Sequence, residues 1–507
     1  MPQQPHGQTS DETKADGEHD LARHLRGRTL ILLSNREPYE HVRARDGAVK
    51  VNKPAGGLVS ALDPTMQRTR GVWVAWGSGD ADRENADEGG CVAVPPESPA
   101  YTLRRVWLDE DDVEGYYLGF ANSCLWPLCH LLVQHFSYRA EYWRRYEAVN
   151  ARFADAVAEQ ARATKGEAVV WVQDYHFALA PAMIRERAPG TFVHQFWHIP
   201  FPPPEILRFL PTSVYQGVMR GMLGNDLIEF HTERYAANFL ACVRDMVPGA
   251  QVRGEDNTIA FEGRTIQVGA FPISIDARAY QALAESPTGE RGARELRARH
   301  AVGGRQLGVS VDRIDYTKGI PERLRAIDLF WTVHPEFCER VTIVVVATPS
   351  RSDIPAYSAL ETEVVDTVTE INARHGTPGW TPVELIHENV GATELAGIYR
   401  AGDVCLVSSL QDGMNLVAKE FIACQVDQPG VLVLSRFAGA SEEIDGALLI
   451  NPFDVDGFVA GMHKAFTMSE SDRRRRMDAM REHLFSATIF DWLDSILARV
   501  GTLAARS

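Results

Sequence analysis

Nothing in this sequence stays apolar for long enough to cross a bilayer. The most sustained hydrophobic run, 341–347, falls far short of the ~20 residues that a spanning helix needs. No secretory leader is expected either. The opening stretch is polar and charged, with no apolar segment ahead of a small-residue cleavage site, and residues 1–27 are expected to form a disordered tail. Cysteine is scarce: seven are scattered along the chain with no C-x-x-C pair, which argues against a disulfide scaffold and for reduced thiols in the cytoplasm. Positive charge is in the minority, 52 Lys and Arg against 68 Asp and Glu. The net charge of −16 disfavours a nucleic-acid partner while leaving room for a local basic pocket. The one basic run, Arg473 to Arg476, reads as a solvated helix face. Four signatures are missing as well: G-x-G-x-x-G, the P-loop, H-E-x-x-H and paired C-x-x-C. D-x-D occurs at Asp80/Asp82, Asp109/Asp111 and Asp454/Asp456, but an acidic chain of this length supplies such patterns by chance, so no metal site is assigned.

What the chain does have is length and alternation. Its 507 residues exceed what one core organises, so two or three domains are expected. Short β-branched runs at 29–33, 72–76, 168–172, 192–197, 307–311, 342–346, 403–407 and 431–434 alternate with helical-period segments at 140–164, 322–332, 354–374 and 417–424. A run such as 342–346 lacks polar alternation, so both of its faces are buried, as in a parallel strand covered by helices. The predicted class is doubly wound α/β. A strand at 265–270 meets Phe271-Pro272, and a polar helical stretch to about His300 leads into a second α/β series. Two halves, 28–272 and 273–485, are expected to face each other across a cleft, with 486–507 a last helix returning to the first half. Ligands of such sheets gather beyond the carboxyl ends of the strands.

Polar residues concentrate where those ends are predicted. In GVSVDRIDYTKGIPER (308–323), Arg313 and Lys318 flank a strand-to-helix loop, and Gly319 and Pro321 open the helix. Two cations there suit a diphosphate leaving group, whose charge grows as a sugar–phosphate bond breaks; a surface loop with routine ion pairs is the competing reading. In SSLQDGMNLVAKEFIAC (408–424), Asp412-Gly413 makes a turn that presents the amides of Met414, Asn415 and Leu416 to an anion or a sugar hydroxyl. Glu420, one turn beyond Leu416, suits ribose hydroxyls, unless the segment is a capped helix with a solvated carboxylate. In the first half, Asp174-Tyr175-His176 and His198 each follow a buried strand. Arg36 ends the first strand and is a candidate phosphate ligand through its planar fork. Gly56-Gly57 is either a mobile loop that approaches a phosphate or a plain turn. Trp76, Tyr117 and Trp126 are candidates for a sugar-stacking wall or for aromatic core.

Together, PAGGLVSALDP (54–64), QDYH (173–176), HIPFPPPEI (198–206), DRIDYTKGIPER (312–323), DGMNLVAKEF (412–421), VLVLSRFAGASEE (431–443) and LLINPFDVDG (448–457) resemble the trehalose-6-phosphate synthase family of glycosyltransferases, family 20, in order and over about 29–491. The resemblance implies a GT-B fold, two Rossmann-like doubly wound domains facing each other across a cleft. It implies transfer of glucose, with retention, from a nucleotide-glucose (UDP-glucose first, ADP or GDP forms left open) to glucose 6-phosphate, giving α,α-trehalose 6-phosphate. By motif, Arg36 and Arg351 are expected at the acceptor phosphate, and Trp76, Tyr117, Trp126 and Asp174 in the acceptor pocket. Asp174 and His198 are expected at the reaction centre, and Arg313 and Lys318 on the donor diphosphate. Gly57, Asp412 and Glu420, with the backbone of Met414, Asn415, Leu416 and Val417, are expected on the donor glucose and ribose. The nucleotide sugar is a substrate; no cofactor or metal is expected, and a homo-oligomer, dimer or tetramer, is compatible with the resemblance.

The chain departs from the family's commonest pattern at several points. Glu37-Pro38-Tyr39-Glu40-His41 replaces a short apolar-Pro segment, Gln173 stands for a common His, Trp197 for a usual Leu, and Glu229-Phe230-His231-Thr232 for Gly-Phe-Gln-Thr. The Arg-Glu-Pro-Tyr stretch is similar to glucosylglycerol-phosphate synthases, whose acceptor is glycerol 3-phosphate. Gly56-Gly57 and the Tyr117/Trp126 spacing favour a hexose phosphate instead. A catalytically weak sugar-phosphate sensor is the alternative of another class, against which stands the joint presence of Arg36, Asp174, His198, Arg313, Lys318 and Glu420.

Overall fold

The computed structural model describes residues 21–53, 57–164, 167–254, 256–351, 354–427 and 429–505. Two sheets organise them. The first has ten strands in the order Gln251–Arg253, Thr258–Phe261, Arg264–Ala270, Leu227–Phe230, Phe192–Phe196, Ala168–Gln173, Thr29–Arg36, Val72–Trp76, Tyr101–Val106, Cys91–Val94. All neighbours from Arg264–Ala270 to Tyr101–Val106 run parallel, and antiparallel strands close both edges. The second sheet is six-stranded and wholly parallel, in the order Val383–Ile386, Val341–Thr348, Gln306–Arg313, Val404–Val407, Val431–Ser435, Leu448–Ile450.

The apolar runs form central strands because both their faces are covered: all of Ala168–Gln173 is buried, and so is Val341–Thr348 up to its last residue. Each sheet winds outward in both directions from one strand. Thr29–Arg36 has Val72–Trp76 on one side and Ala168–Gln173 on the other, and Gln306–Arg313 lies between Val341–Thr348 and Val404–Val407 in the same way. These are the two topological switch points, where a crevice opens beyond the carboxyl ends. Arg36 and Asp174 stand at the first, Arg313 and Arg351 at the second.

One expectation is corrected. Residues 21–27, expected in the tail, are ordered: Leu21 and Leu25 are buried, and the short helix Ala22–Leu25 packs on the last helix, Ile489–Ala504, while 1–20 lie outside the described residues. That last helix lies on the first half, with Trp492 against Trp171 and Phe196 and the Arg499 guanidinium donating to Glu229. The segment 113–125, unassigned from its pattern, is a wide helix with i→i−5 hydrogen bonding, as in Trp126 N–H to Ala121 O. Such π-helical stretches turn side chains off the ordinary helical phase, and this one carries Tyr116 and Tyr117.

Candidate active site

A cavity of about 660 Å³ opens at the first switch point, between Arg36, Trp76, Ser78 and Tyr117 of the first half and 389–391 of the second. Tyr117 stacks on His176 (5.9 Å, 13°) and tilts against Trp76 (6.1 Å, 52°). Burial pushes the Tyr117 phenol up, but the charges of the Arg351 and Arg36 guanidinium groups beside it outweigh burial and hold it below its ordinary value. Arg351 crosses from the second half. Its backbone is left-handed (φ 51°), and its guanidinium lies 4.2 Å above the Trp126 ring. It donates to the hydroxyls of Tyr357 (2.8 Å) and Tyr175 (3.4 Å) and sits 3.7 Å from Asp315. Two arginines are thus converged on one phenol, a ready seat for a phosphate. Trp76 and Tyr117 line the cavity, whereas Trp126 serves as a platform for Arg351 and does not line it.

Behind Arg36, the departing segment 37–41 is held by a buried ionic cluster. Arg105 donates to Glu37 (2.7 Å) and pairs with Asp82 (2.8 Å), all three wholly buried, and Glu37 accepts from the Ser78 amide (2.8 Å). Burial, with the Asp82 carboxyl beside it, pushes Glu37 up to about 8. The Asp80-Ala81-Asp82 pattern is therefore structural. In the other two D-x-D patterns, Asp109 and Asp454 cap helices and Asp111 pairs with Arg145.

Asp174 and His198 meet at the next two carboxyl ends. Asp174 has a positive φ of 67°, and its carboxylate accepts the His198 N–H at 3.0 Å. Burial lifts its pKa to about 7 against the amides of His198, Tyr175 and Ile199 and the charge of Arg351. The His198 imidazole shares a hydrogen with Gln173 Oε1 (2.9 Å). Burial, with His231 and His194 nearby, drives its pKa well below the ordinary value, so the ring is neutral. It is a hydrogen-bonding group here rather than a cation.

The second switch point supplies the positive charge. Lys318 Nζ donates to Asp412 Oδ2 at 2.6 Å; burial opposes both ionised forms, yet the pair holds Lys318 up and Asp412 down at about 2. Asp412 accepts also from Ser409 and Asn415. Arg313 is looser, 43% exposed, with Ser350 Oγ at 3.4 Å and Asp315 at 3.8 Å, so its fork is available to an incoming anion. Gly319 is left-handed (φ 63°), and a Cβ there would lie 2.4 Å from Ser408 O, which fixes the turn into the helix Ile320–Val333.

The Asp412–Glu420 segment differs from expectation in two ways. The left-handed residue is Asn415 (φ 79°), whose side chain caps the helix Leu416–Cys424 by accepting from Ala418 N–H. Gly413 is required by close approach, since a Cβ would fall 2.1 Å from His198 O in the opposite half. Ahead of the cap bond stand the amides of Leu416 and Val417, first-turn donors that no intrahelical carbonyl reaches. Glu420 is not solvated: Tyr280 and Tyr399 donate to its two oxygens at 2.8 and 2.9 Å. Burial raises its pKa and the two phenols oppose the rise. Met414 is buried, and its carbonyl accepts from Ala440. Gly57 begins the helix Gly57–Thr69, while Gly56 lies outside the described residues.

Residues overlooked in the sequence include Tyr175, Tyr357 and Asp315 around Arg351, and Tyr280 and Tyr399 around Glu420. Only the Asp-Tyr-His and Asp-Tyr-Thr-Lys motifs hinted at the first and third.

The chain is similar to known proteins in sequence and in fold. The model of glycosyltransferase family 20 matches residues 28–501. The trehalose-6-phosphate synthase of Mycobacterium avium (strain 104) is 40% identical over 476 residues, 92% of this chain and 94% of the relative. The solved Escherichia coli protein bound with UDP-2-fluoro glucose superposes with a TM-score of 0.83 at 30% identity, over 93% of this chain and 99% of that one. The α,α-trehalose-phosphate synthase (UDP-forming) of Burkholderia xenovorans in complex with glucose 6-phosphate gives 0.81 at 30% identity, over 93% and 99%. The two facing doubly wound sheets are the GT-B fold. With its family model spanning nearly the whole described chain, and both switch points furnished as above, this protein belongs to glycosyltransferase family 20.

Proposed function

We infer that this chain transfers glucose, with retention of configuration, from a nucleotide-glucose to glucose 6-phosphate, releasing the nucleoside diphosphate and α,α-trehalose 6-phosphate. UDP-glucose is the first choice of donor. The observation that carries the reading is the pairing of two cationic seats across one cleft, Lys318 and Arg313 on one side and Arg36 and Arg351 on the other. Two phosphorylated substrates need two such seats. The relatives solved with UDP-2-fluoro glucose and with glucose 6-phosphate support the same assignment.

The acceptor phosphate docks on Arg36 and Arg351 with the hexose against Trp76 and Tyr117, in the half formed by 28–272. The donor diphosphate docks on Arg313 and Lys318 in the half formed by 273–485, with the amides of Leu416 and Val417 and the Asp412 and Glu420 carboxylates on its sugars. As the glucose–phosphate bond breaks, negative charge accumulates on the leaving oxygen, and the two cations stabilise it where it grows. The acceptor hydroxyl attacks on the same face, and the leaving oxygen takes its proton. Asp174 and neutral His198 orient sugar hydroxyls. We assign the charge stabilisation to these side chains without a metal, so a chelator should leave turnover unchanged. Reduced cysteines, all seven free among the described residues, fit a cytoplasmic setting; no helix among the described residues is long and apolar enough to cross a membrane.

The test measures nucleoside diphosphate release from UDP-, ADP- and GDP-glucose, each with glucose 6-phosphate, glycerol 3-phosphate or no acceptor. Release that depends on glucose 6-phosphate is expected. Release only with glycerol 3-phosphate would shift the acceptor to the one suggested by Arg36–Tyr39, and none with any pair would leave a sensor.

A further inference from the structure

We propose that His334, Glu336 and His463 form a binding site for a divalent transition-metal ion of the zinc class, remote from the catalytic cleft. Among the described residues, one donor atom from each of these side chains lies within 4.8 Å of the other two. His334 follows the helix Ile320–Val333 as its cap, and Glu336 sits in the next turn, Pro335–Phe337. His463 occupies the last turn of the helix Val455–Phe466. The imidazoles stack at 4.4 Å and 30°, and Glu336 Oε1 lies 3.2 Å from His334 Nδ1.

Three physical features favour a cation here. Two imidazoles and a carboxylate are a donor set suited to zinc, cobalt or nickel, with open positions left for water. Both histidines sit at helix C-termini, where the negative end of the macrodipole attracts positive charge. Phe330 and Phe337 back the rings, with Phe337 edge-on to His463 at 5.7 Å and Phe330 5.6 Å from His334, so the imidazoles are held by packing. Bonds of about 2.1 Å in a tetrahedron require donors about 3.4 Å apart. The remaining closure falls to rotation of the exposed Glu336 and small ring adjustments. The helix Ile320–Val333 begins beside Lys318 and spans 14 residues, so the cluster lies about 20 Å from the diphosphate seat. Its role is therefore to clamp two helices of the second half, not to take part in transfer.

The experiment titrates chelator-stripped protein with Zn²⁺ by calorimetry. One equivalent should bind, and the thermal midpoint should rise by a few degrees on saturation. His334→Asn and His463→Asn should each weaken binding at least tenfold, and Glu336→Gln less, with glucosyl transfer unchanged as evidence of an intact fold. Co²⁺ in the unmutated chain should give the visible absorption of a nitrogen-ligated ion, a readout independent of any variant. Binding of equal strength in the double histidine variant, or no binding by the wild-type chain, would overturn the site and leave a His334–Glu336 ion pair beside a second imidazole.

Discussion

Lys318→Met is the perturbation from which most can be learned. The ammonium is 2.6 Å from Asp412, with side-chain exposures of only 16% and 12%. Holding Asp412 at about 2 rather than near its ordinary value corresponds to roughly 2 kcal/mol of preference for the charged form. That is a net figure, because burial alone pushes the other way, so Lys318 supplies more than this. Removing it leaves a mostly buried carboxylate without its cation, at a cost of about 3 kcal/mol in stability. Turnover should fall roughly 10²–10³-fold, because one of two charges on the leaving group is gone. Adding Asp412→Asn removes the orphaned charge, so the double variant should recover part of the stability and none of the turnover. The pH dependence follows from the depressed Asp412 pKa: its stabilisation is complete above about pH 4 and lost as pH falls through 2. The deficit of Lys318→Met should therefore narrow on acidification. Urea unfolding across pH, alongside nucleotide release, provides the data. Equal stability and turnover in the single variant, or a double variant losing the sum of both effects, would refute the reasoning.

Asp174→Asn should abolish transfer yet stabilise the chain above pH 7. A raised carboxyl pKa means stability present below about pH 4 and lost as pH rises to about 7, which thermal unfolding at pH 5 and 8 would check. Gly413→Ala places a methyl 2.1 Å from His198 O, so the halves must separate there; a loss of at least about 1–3 kcal/mol and of most turnover is expected, read by calorimetry and nucleotide release. Arg351→Lys forfeits the fork shared between two phenols and the Trp126 face, and should raise the acceptor KM roughly 10–100-fold in steady-state assays with the donor KM little changed.

Much of the frame could be read from residue patterns because parallel strands covered on both faces are uninterrupted apolar runs, and polar residues at their carboxyl ends stand out. Arg36, Asp174, Arg313 and Lys318 are picked out as candidates in that way. Pattern was silent where long-range packing decides. The wide helix 113–125 departs from the 3.6-residue period, so Tyr117 could not be phased. Pattern could not decide between a ribose-binding and a solvated Glu420, because its partners, Tyr280 and Tyr399, come from distant helices. Gly413 looked like a turn glycine, but its need arises from a carbonyl in the other half. Nothing local to Trp126 shows that an arginine from the other half lies over its ring. The edge strands Cys91–Val94 and Gln251–Arg253 are short and half-exposed, which leaves little hydrophobic signal.

The central claim is most directly tested by a crystal structure of the chain with a nucleoside diphosphate and glucose 6-phosphate bound together. The account predicts the diphosphate within hydrogen-bonding distance of Arg313 and Lys318, and the sugar phosphate between Arg36 and Arg351. A diphosphate seated anywhere else, with those two cations still facing Asp315 and Asp412 alone, would contradict it.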